Sequence, residues 1–450
     1  MPSASPSQVI RIPDFPSAVL NNRRDLYIYV PPGYAESEDT RYPVLYMHDG
    51  QHVFGRDERG ESWEMHRTAD RLIAEGKIRK LLIVAPASIP EIRLHEYFHD
   101  SEGIRELFGS VAQGVNYEKF LIEEVKAYID AAYRTLPGPA DTAVMGSSAG
   151  GLVSYNLGFR RPDVFGMASI LSPFFVRAQL SGKSPQHLLG EETALYQRYP
   201  SKPPIRVWLD MGGAEGLLMA RHAREAADML IDQGFRDGDD LMYYLDESAG
   251  HSQTDWAARI HAPLLYFFGD IGKPVSLSFQ KSYSIGLQGS PIRANPVLRY
   301  SSGFMRSLLA ADYRTMPAGI VEVAQDGLLT SKASGSTMLV AEYAGLEASS
   351  EVTVEATLPE QVRVSVVVEV PSSTPEETRV FAGIETFRRP DGFYEGTALL
   401  PRGLTFRFAV SKGFGDNERR LDGSLPPLHE FTTDRDQSLR YQVESWHVLT

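Results

Sequence analysis

Cysteine is absent from all 450 residues. That excludes disulfides, thiolate metal sites and a cysteine nucleophile, and it leaves the compartment open. No run of about 18 apolar residues occurs, so no membrane-spanning helix is expected. Basic residues are in the minority: 45 Lys and Arg against 58 Asp and Glu give a net charge of −13. A nucleic-acid partner, which needs a basic face, is therefore not expected, and polyanionic substrates such as pectin are disfavoured. No cluster of His and Glu has the spacing of metal ligands, so neither a metal nor another cofactor is implied. The opening "MPSASPSQVIRI" has neither the basic start nor the apolar run of a signal peptide. The expectation is an exported protein whose signal peptide is missing from this sequence, with a cytoplasmic protein as the alternative.

What is present divides the chain by texture. Its length implies two or three domains. Up to about Asp270, apolar strands alternate with amphipathic helices. Strands are expected at 26–31, 43–49, 80–87, 142–146, 204–211 and 240–246. Helices are expected at 64–76, 116–134, 149–161, 219–234 and 254–268. Short strands separated by helices imply a mostly parallel sheet covered on both faces. Beyond Asp270 helical periodicity fades. Strand-like runs at 336–345, 349–358, 363–370, 405–413 and 439–448 are separated by Gly, Ser and Pro, as in small sandwich domains.

The stretch "AVMGSSAGG" (143–151) lies between the strand "TAVMG" and a helix. Gly146-Ser147-Ser148-Ala149-Gly150 thus has the setting of a nucleophile elbow. A sharp turn there needs neighbours without bulk, supplied by Gly146 and Gly150, while Gly151 lets the helix pack close to the sheet. Ser148 holds the central position, and Ser147 is a small residue filling the turn. The helix start behind Ser148 favours a developing negative charge.

A serine hydroxyl needs a base, and in this architecture the chain order is Ser, acid, His. His251 follows "YYLDESAG", a strand and then a loop, just before the last helix, which suits the base. His222 and His261 fall within helical patterns. His48 and His52 precede Ser148 and would at most touch substrate. The acid belongs after the strand "IRVWLD", where "DMGGAEGLL" offers Glu215 and Asp210; Glu215 lies in the Gly-rich loop and Asp210 ends the strand. Asp246 and Glu247 are weaker candidates. The oxyanion needs two backbone N–H donors, one from Ala149 and one from Gln51 in "HDGQ", although "HDGQ" also reads as an ordinary tight turn.

With these residues in place, the first 270 residues resemble the esterase D family of α/β-hydrolases, which includes carbohydrate esterase family 1, siderophore esterases and mycolyltransferases. The likeness is carried in order by "RRDLYIYVPPGY", "YPVLYMHDGQHVF", "IRLHEY", "MGSSAGGLVSYNLGFRRPDVFG", "LDMGGAEG" and "AGHSQTDWAARI". The resemblance implies an α/β-hydrolase fold, Ser148 as nucleophile, His251 as base, Glu215 as acid, and Gln51 and Ala149 as oxyanion donors. The family often has Asp at the acid position, where this chain has Glu215. Residues 276–356 resemble a bacterial immunoglobulin-like domain. Residues 360–450 resemble starch-binding-like modules, yet the only Trp beyond residue 256 is Trp446, which counts against sugar binding there.

Together these readings predict an α/β-hydrolase domain over 1–270 followed by two β-sandwich domains. The expected activity is serine-dependent hydrolysis of acyl esters of carbohydrates, acetyl or feruloyl, with a siderophore trilactone as a second substrate class. Arg93, Glu96, Tyr97 and Phe174 are the candidate substrate-binding residues, with surface ion pairs or core packing as the alternative. Two rivals differ in class: an acyltransferase with the same triad, and a non-catalytic surface protein whose β-domains bind glycan.

Overall fold

The computed structural model describes residues 5–36, 38–101, 104–105, 111–181, 186–216, 219–413 and 416–446, and for 177–191 the backbone alone. The final residues of the 439–448 run lie outside these. The strands of the first half are β1 (Gln8–Ser17), β2 (Asn22–Val30), β3 (Val44–Met47), β4 (Leu82–Pro86), β5 (Thr142–Ser148), β6 (Met167–Pro173), β7 (Val176–Ser181), β8 (Gln186–Ala194), β9 (Arg206–Gly212) and β10 (Leu241–Asp246). They are followed by β11 (Pro274–Phe279), β12 (Tyr283–Gly286), β13 (Ile292–Arg293), β14 (Pro296–Tyr300) and β15 (Met305–Ser307).

The main sheet runs β1-β2-β4-β3-β5-β6-β9-β10-β15-β14-β11. From β4 through β10 neighbours are parallel. These strands read as nearly unbroken apolar runs because helices cover both faces: Val44–Met47 and Leu82–Ala85 are all buried. After β3 the chain moves outward to β4, then returns to β5 on the other side of β3. The carboxyl ends of β3 and β5 therefore flank a switch point, where open α/β sheets form their crevice. This α/β-hydrolase architecture agrees with the sequence reading.

Three local features differ from it. The helix expected at 116–134 begins at Gly114 and is widened to π geometry over Phe120–Lys126. The single helix expected at 254–268 is two, Gln253–Arg259 and His261–Phe268. Pro263 explains the break, since it has no N–H to return to the preceding turn. The antiparallel hairpin β7–β8 was not anticipated.

The large sheet does not stop at residue 270. β15, β14 and β11 extend it in antiparallel fashion, with Tyr243 paired to Ser307 and Leu245 N–H donating to Ser307 Oγ at 3.0 Å. Leu277, Val297 and Leu298 share a core with Trp208 and Tyr244. The segment 276–356 is thus partly built onto the hydrolase sheet, which covers an edge that β10 would otherwise expose. Its remainder packs two sheets around Tyr283, Ile285, Leu329, Leu339, Val352 and Val354. Arg306, fully buried, ties the parts together through Asp237 (2.8 Å), Tyr300 (3.1 Å) and Tyr343 (3.0 Å). The C-terminal strands, from Gln361–Glu369 onward, surround a separate core containing Val362, Val364, Val366, Val368 and Tyr394. Among the described residues no helix is long and apolar enough to cross a membrane.

Candidate active site

β5 ends on Ser148, whose φ of 58° and ψ of −125° are costly for a residue with a side chain. Such backbone persists only where the surroundings enforce it. Close packing provides that enforcement. A Cβ on Gly146 would stand 2.6 Å from the carbonyl oxygen of Gly150, and one on Gly151 would stand 2.8 Å from that of Leu171 in β6. The helix Ala149–Arg160 can therefore start at once and lie tightly on the sheet. Its first N–H groups, Ala149 foremost, have no acceptor within the helix and open toward the elbow.

His251 and Glu215 arrive on loops from the same end of the sheet. His251 follows β10 and Glu215 follows β9, and His251 Nδ1 lies 2.7 Å from Glu215 Oε2. A carboxylate can only accept, so Nδ1 carries the proton and Nε2 keeps its lone pair. The His251 side chain is 37% exposed and that of Glu215 only 1%. The imidazole is open to solvent while the carboxylate is shut away.

A buried anion needs partners. Glu215 Oε1 accepts the N–H of Gly212 at 2.9 Å and the hydroxyl of Ser172. Ser172 in turn accepts from Trp256 Nε1 at 2.9 Å and Arg259 Nη2 at 2.6 Å. Both of these groups are donors only, so the single Ser172 proton points at Glu215. Asp210, the other candidate acid, is occupied elsewhere. It accepts from Arg259 Nε at 3.0 Å and Trp208 Nε1 at 2.7 Å and is fully buried. The carboxylate facing His251 is Glu215. Trp256 also meets the His251 ring edge-on, with centroids 4.9 Å apart.

Sequence reasoning missed Ser172, Trp256 and Arg259 as parts of this network. Arg259, a charge set in the apolar run "WAARIHAPLLYFF", was the available signal. Ser172 gave none; its φ of 39° is visible only in the fold.

The loop after β3 is held just as firmly. Asp49 is left-handed, with φ 57° and ψ 48°. The next residue must be glycine, because a Cβ on Gly50 would stand 2.1 Å from the carbonyl oxygen of Ala85. Arg93 grips the Asp49 carboxylate with two bonds, 2.7 and 2.8 Å, and Asp49 N–H donates to Tyr97 Oη at 3.1 Å. Burial alone would raise the Asp49 carboxyl, but the Arg93 guanidinium outweighs it and holds the group at about 2. Gln51 is pinned by its side chain to Ser88, through Nε2 to Oγ at 2.8 Å and Oε1 from N–H at 3.0 Å. Its own N–H lies in the first turn of Gly50–Val53, again without a helical acceptor.

The four candidate substrate-binding residues therefore separate. Arg93 and Tyr97 lie in the short helix Arg93–Tyr97 and act on Asp49. Glu96 points elsewhere: it is buried and accepts from Arg24 at 2.7 and 2.8 Å and from Asn22 at 3.1 Å. With both oxygens so engaged it is a structural ion pair and not a substrate contact. Phe174 is half-buried, donates its N–H to the Ser148 carbonyl at 3.0 Å, and lies parallel to Phe98 with centroids 6.1 Å apart.

His48 sits beneath the elbow between the rings of Tyr97 and Tyr117, with Nδ1 2.9 Å from Tyr117 Oη. Burial pushes its pKa down to about 3; Asp49 pulls the other way and Arg93 adds to the fall. Below about pH 6.5 the unfolded chain takes up a proton here that the folded chain refuses. Stability is therefore lost as pH falls from 6.5 toward 3. At pH 4.5 this loss amounts to about 3 kcal/mol. Thermal melts at pH 7 and 4.5 should show a smaller acid penalty in His48→Gln than in wild type. Equal penalties would contradict the assignment.

Residues 17–267, more than half of the chain, match the Esterase family. Over 154 residues the chain is 32% identical to a protein of Xylanibacter ruminicola named endo-1,4-beta-xylanase/feruloyl esterase; the match spans 32% of this chain and 19% of that protein. Among solved structures, a ferulic acid esterase aligns at 19% identity and a TM-score of 0.44, covering 59% of this chain and 98% of its own. The ferulic acid esterase of Anaeromyces mucronatus aligns at 18% and 0.42, covering 60% and 93%. The enterobactin esterase of Shigella flexneri aligns at 16% and 0.41, covering 58% and 59%. The chain belongs to the Esterase family.

Proposed function

We propose that the protein is a serine carboxylic-ester hydrolase acting on acyl esters of carbohydrates through an acyl-enzyme. One observation carries the reading: a desolvated carboxylate holds the imidazole of His251 by Nδ1, at the sheet end where Ser148 stands on its elbow. Nε2 of His251 takes the Ser148 proton as Oγ attacks the ester carbonyl. The N–H groups of Ala149 and Gln51 receive the oxyanion, each worth about a hundredfold or more in rate. His251 then gives its proton to the leaving alcohol. Water repeats the sequence on the acyl-enzyme, releasing the acid and restoring Ser148.

The acyl group favoured here is hydroxycinnamoyl, with acetyl as the alternative. Phe174, half-buried, hydrogen-bonded by its N–H to the Ser148 carbonyl and backed by the buried ring of Phe98, would suit a flat aromatic acid. The name of the 32%-identical relative supports the same choice. We read residues 276–356 and 360–450 as appended β-modules, the first grown onto the hydrolase sheet.

Methyl ferulate and methyl acetate share a leaving group and differ only in acid. The wild type should hydrolyse ferulate with a kcat/KM about tenfold or more higher, the scale of discrimination that a modest apolar pocket achieves. Acetate favoured over ferulate would overturn the aromatic preference. Hydrolysis of neither ester would overturn the hydrolase reading.

A further inference from the structure

The C-terminal module reaches the catalytic loops. Its strand Thr405–Phe408, paired with His429–Thr432, lies against both. Phe406 forms an antiparallel bridge with Glu215 itself. Arg407 N–H donates to the Ala214 carbonyl at 3.2 Å. On the other side of Glu215, the Phe406 ring covers Gly216: a Cβ there would stand 3.4 Å from Phe406 Cε1. The acid's loop is thus held on both flanks by a strand from another module.

The side chain of Arg407 crosses to the base's loop. A Cβ on Gly250, the residue before His251, would stand 3.3 Å from Arg407 Cδ. The guanidinium lies 3.6 Å from Asp255 and 3.1 Å from Glu430. Asp255 accepts from Ser252 Oγ at 2.7 Å, and Ser252 caps the helix that follows His251. Further ties fix the module in place: Arg59 donates to the Pro426 carbonyl at 3.1 Å, Arg419 pairs with Glu58, and β8 pairs with Thr397 and Ala398. Both ends of the His251–Glu215 bond therefore rest on one residue of the C-terminal strand.

We propose that the C-terminal β-module completes the catalytic unit, with Arg407 as a positioning residue that holds the Glu215 and His251 loops in register. The inference rests on the serine-esterase reading for its kinetic consequence, though not for its structural one. Arg407 acts on the triad and not on substrate, so its loss falls on kcat alike for every ester.

The experiment uses the full-length chain and the variants Arg407→Ala, Arg407→Lys and Arg407→Pro. The proline variant also removes the N–H donated to Ala214. With methyl ferulate and p-nitrophenyl acetate, Arg407→Ala should lose about tenfold or more in kcat, the scale on which misplacement of a catalytic group is felt. KM should stay within about twofold, Arg407→Lys should recover most of the loss, and Arg407→Pro should be the worst. A second readout is independent of turnover: the low-field proton resonance of His251 Nδ1–H, identified by its loss in Glu215→Gln. It should exchange faster in Arg407→Ala and be restored in Arg407→Lys. An unchanged resonance and unchanged kcat in folded Arg407→Ala would overturn the proposal, as would a loss confined to KM or to one ester. If the wild type hydrolyses no ester, the function reading fails, and the resonance still decides whether Arg407 positions the pair.

Discussion

Replacing Ser148 by alanine should lower kcat/KM on methyl ferulate by at least about 10⁴-fold. The remaining rate should come from the oxyanion donors and substrate binding, which do not need the hydroxyl. Ser148 is half-exposed. The close packing at Gly146 and Gly151 that holds this backbone does not change in the variant. Ser148→Ala should therefore melt within a degree or two of wild type, about 0.5 kcal/mol. A comparison of steady-state rates and melting curves checks both halves. A variant that keeps a tenth of the activity would remove Ser148 from the nucleophile's role.

The second large effect is expected at Glu215. Glu215→Gln keeps size and shape but can present an N–H₂ group to His251 Nδ1. The imidazole would then turn its lone pair to the amide and its proton toward Ser148, the wrong tautomer for a base. A loss of about 10³ to 10⁴ in kcat follows, with KM close to wild type. The buried surroundings sharpen the effect. Gly212 N–H and the Ser172 hydroxyl both donate to Oε1, so the amide oxygen is drawn to that side and the N–H₂ to the side of His251. Kinetics in which Glu215→Gln retains more than a tenth of the wild-type kcat would mean that His251 is oriented by something else.

Much of this site was legible in the sequence, for reasons that can be named. The elbow could be read because strand, turn and helix each leave a local pattern and because the turn has no room for a side chain at Gly146. The position of His251 could be read because the loop after the last parallel strand opens at the carboxyl end of the sheet, where Ser148 also stands. The choice between Asp210 and Glu215 could not be made locally. Asp210 lies near the end of β9 and Glu215 just beyond it, and Asp210 is claimed by Arg259, which arrives from a distant helix. Glu96 illustrates the same limit: its fate was decided by Arg24 on β2, a partner that no spacing reveals.

The continuation of the large sheet beyond residue 270 was illegible for a different reason. Antiparallel strands that extend a large sheet and strands of a separate sandwich share one period of alternation. Nothing in residues 274–307 distinguishes the two, and only the pairing of Ser307 with Tyr243 does. The approach of Arg407 to the catalytic loops was illegible for the same reason, because docking between modules leaves no periodic trace.

The central claim, that Ser148 is the residue acylated during turnover, is tested most directly by intact mass spectrometry after treatment with diethyl p-nitrophenyl phosphate, followed by peptide mapping. The account predicts a single diethylphosphoryl adduct per chain, located on Ser148, abolished in Ser148→Ala and accompanied by loss of esterase activity. An adduct on another residue that tracks the loss of activity, or equal labelling of Ser148→Ala, would contradict it.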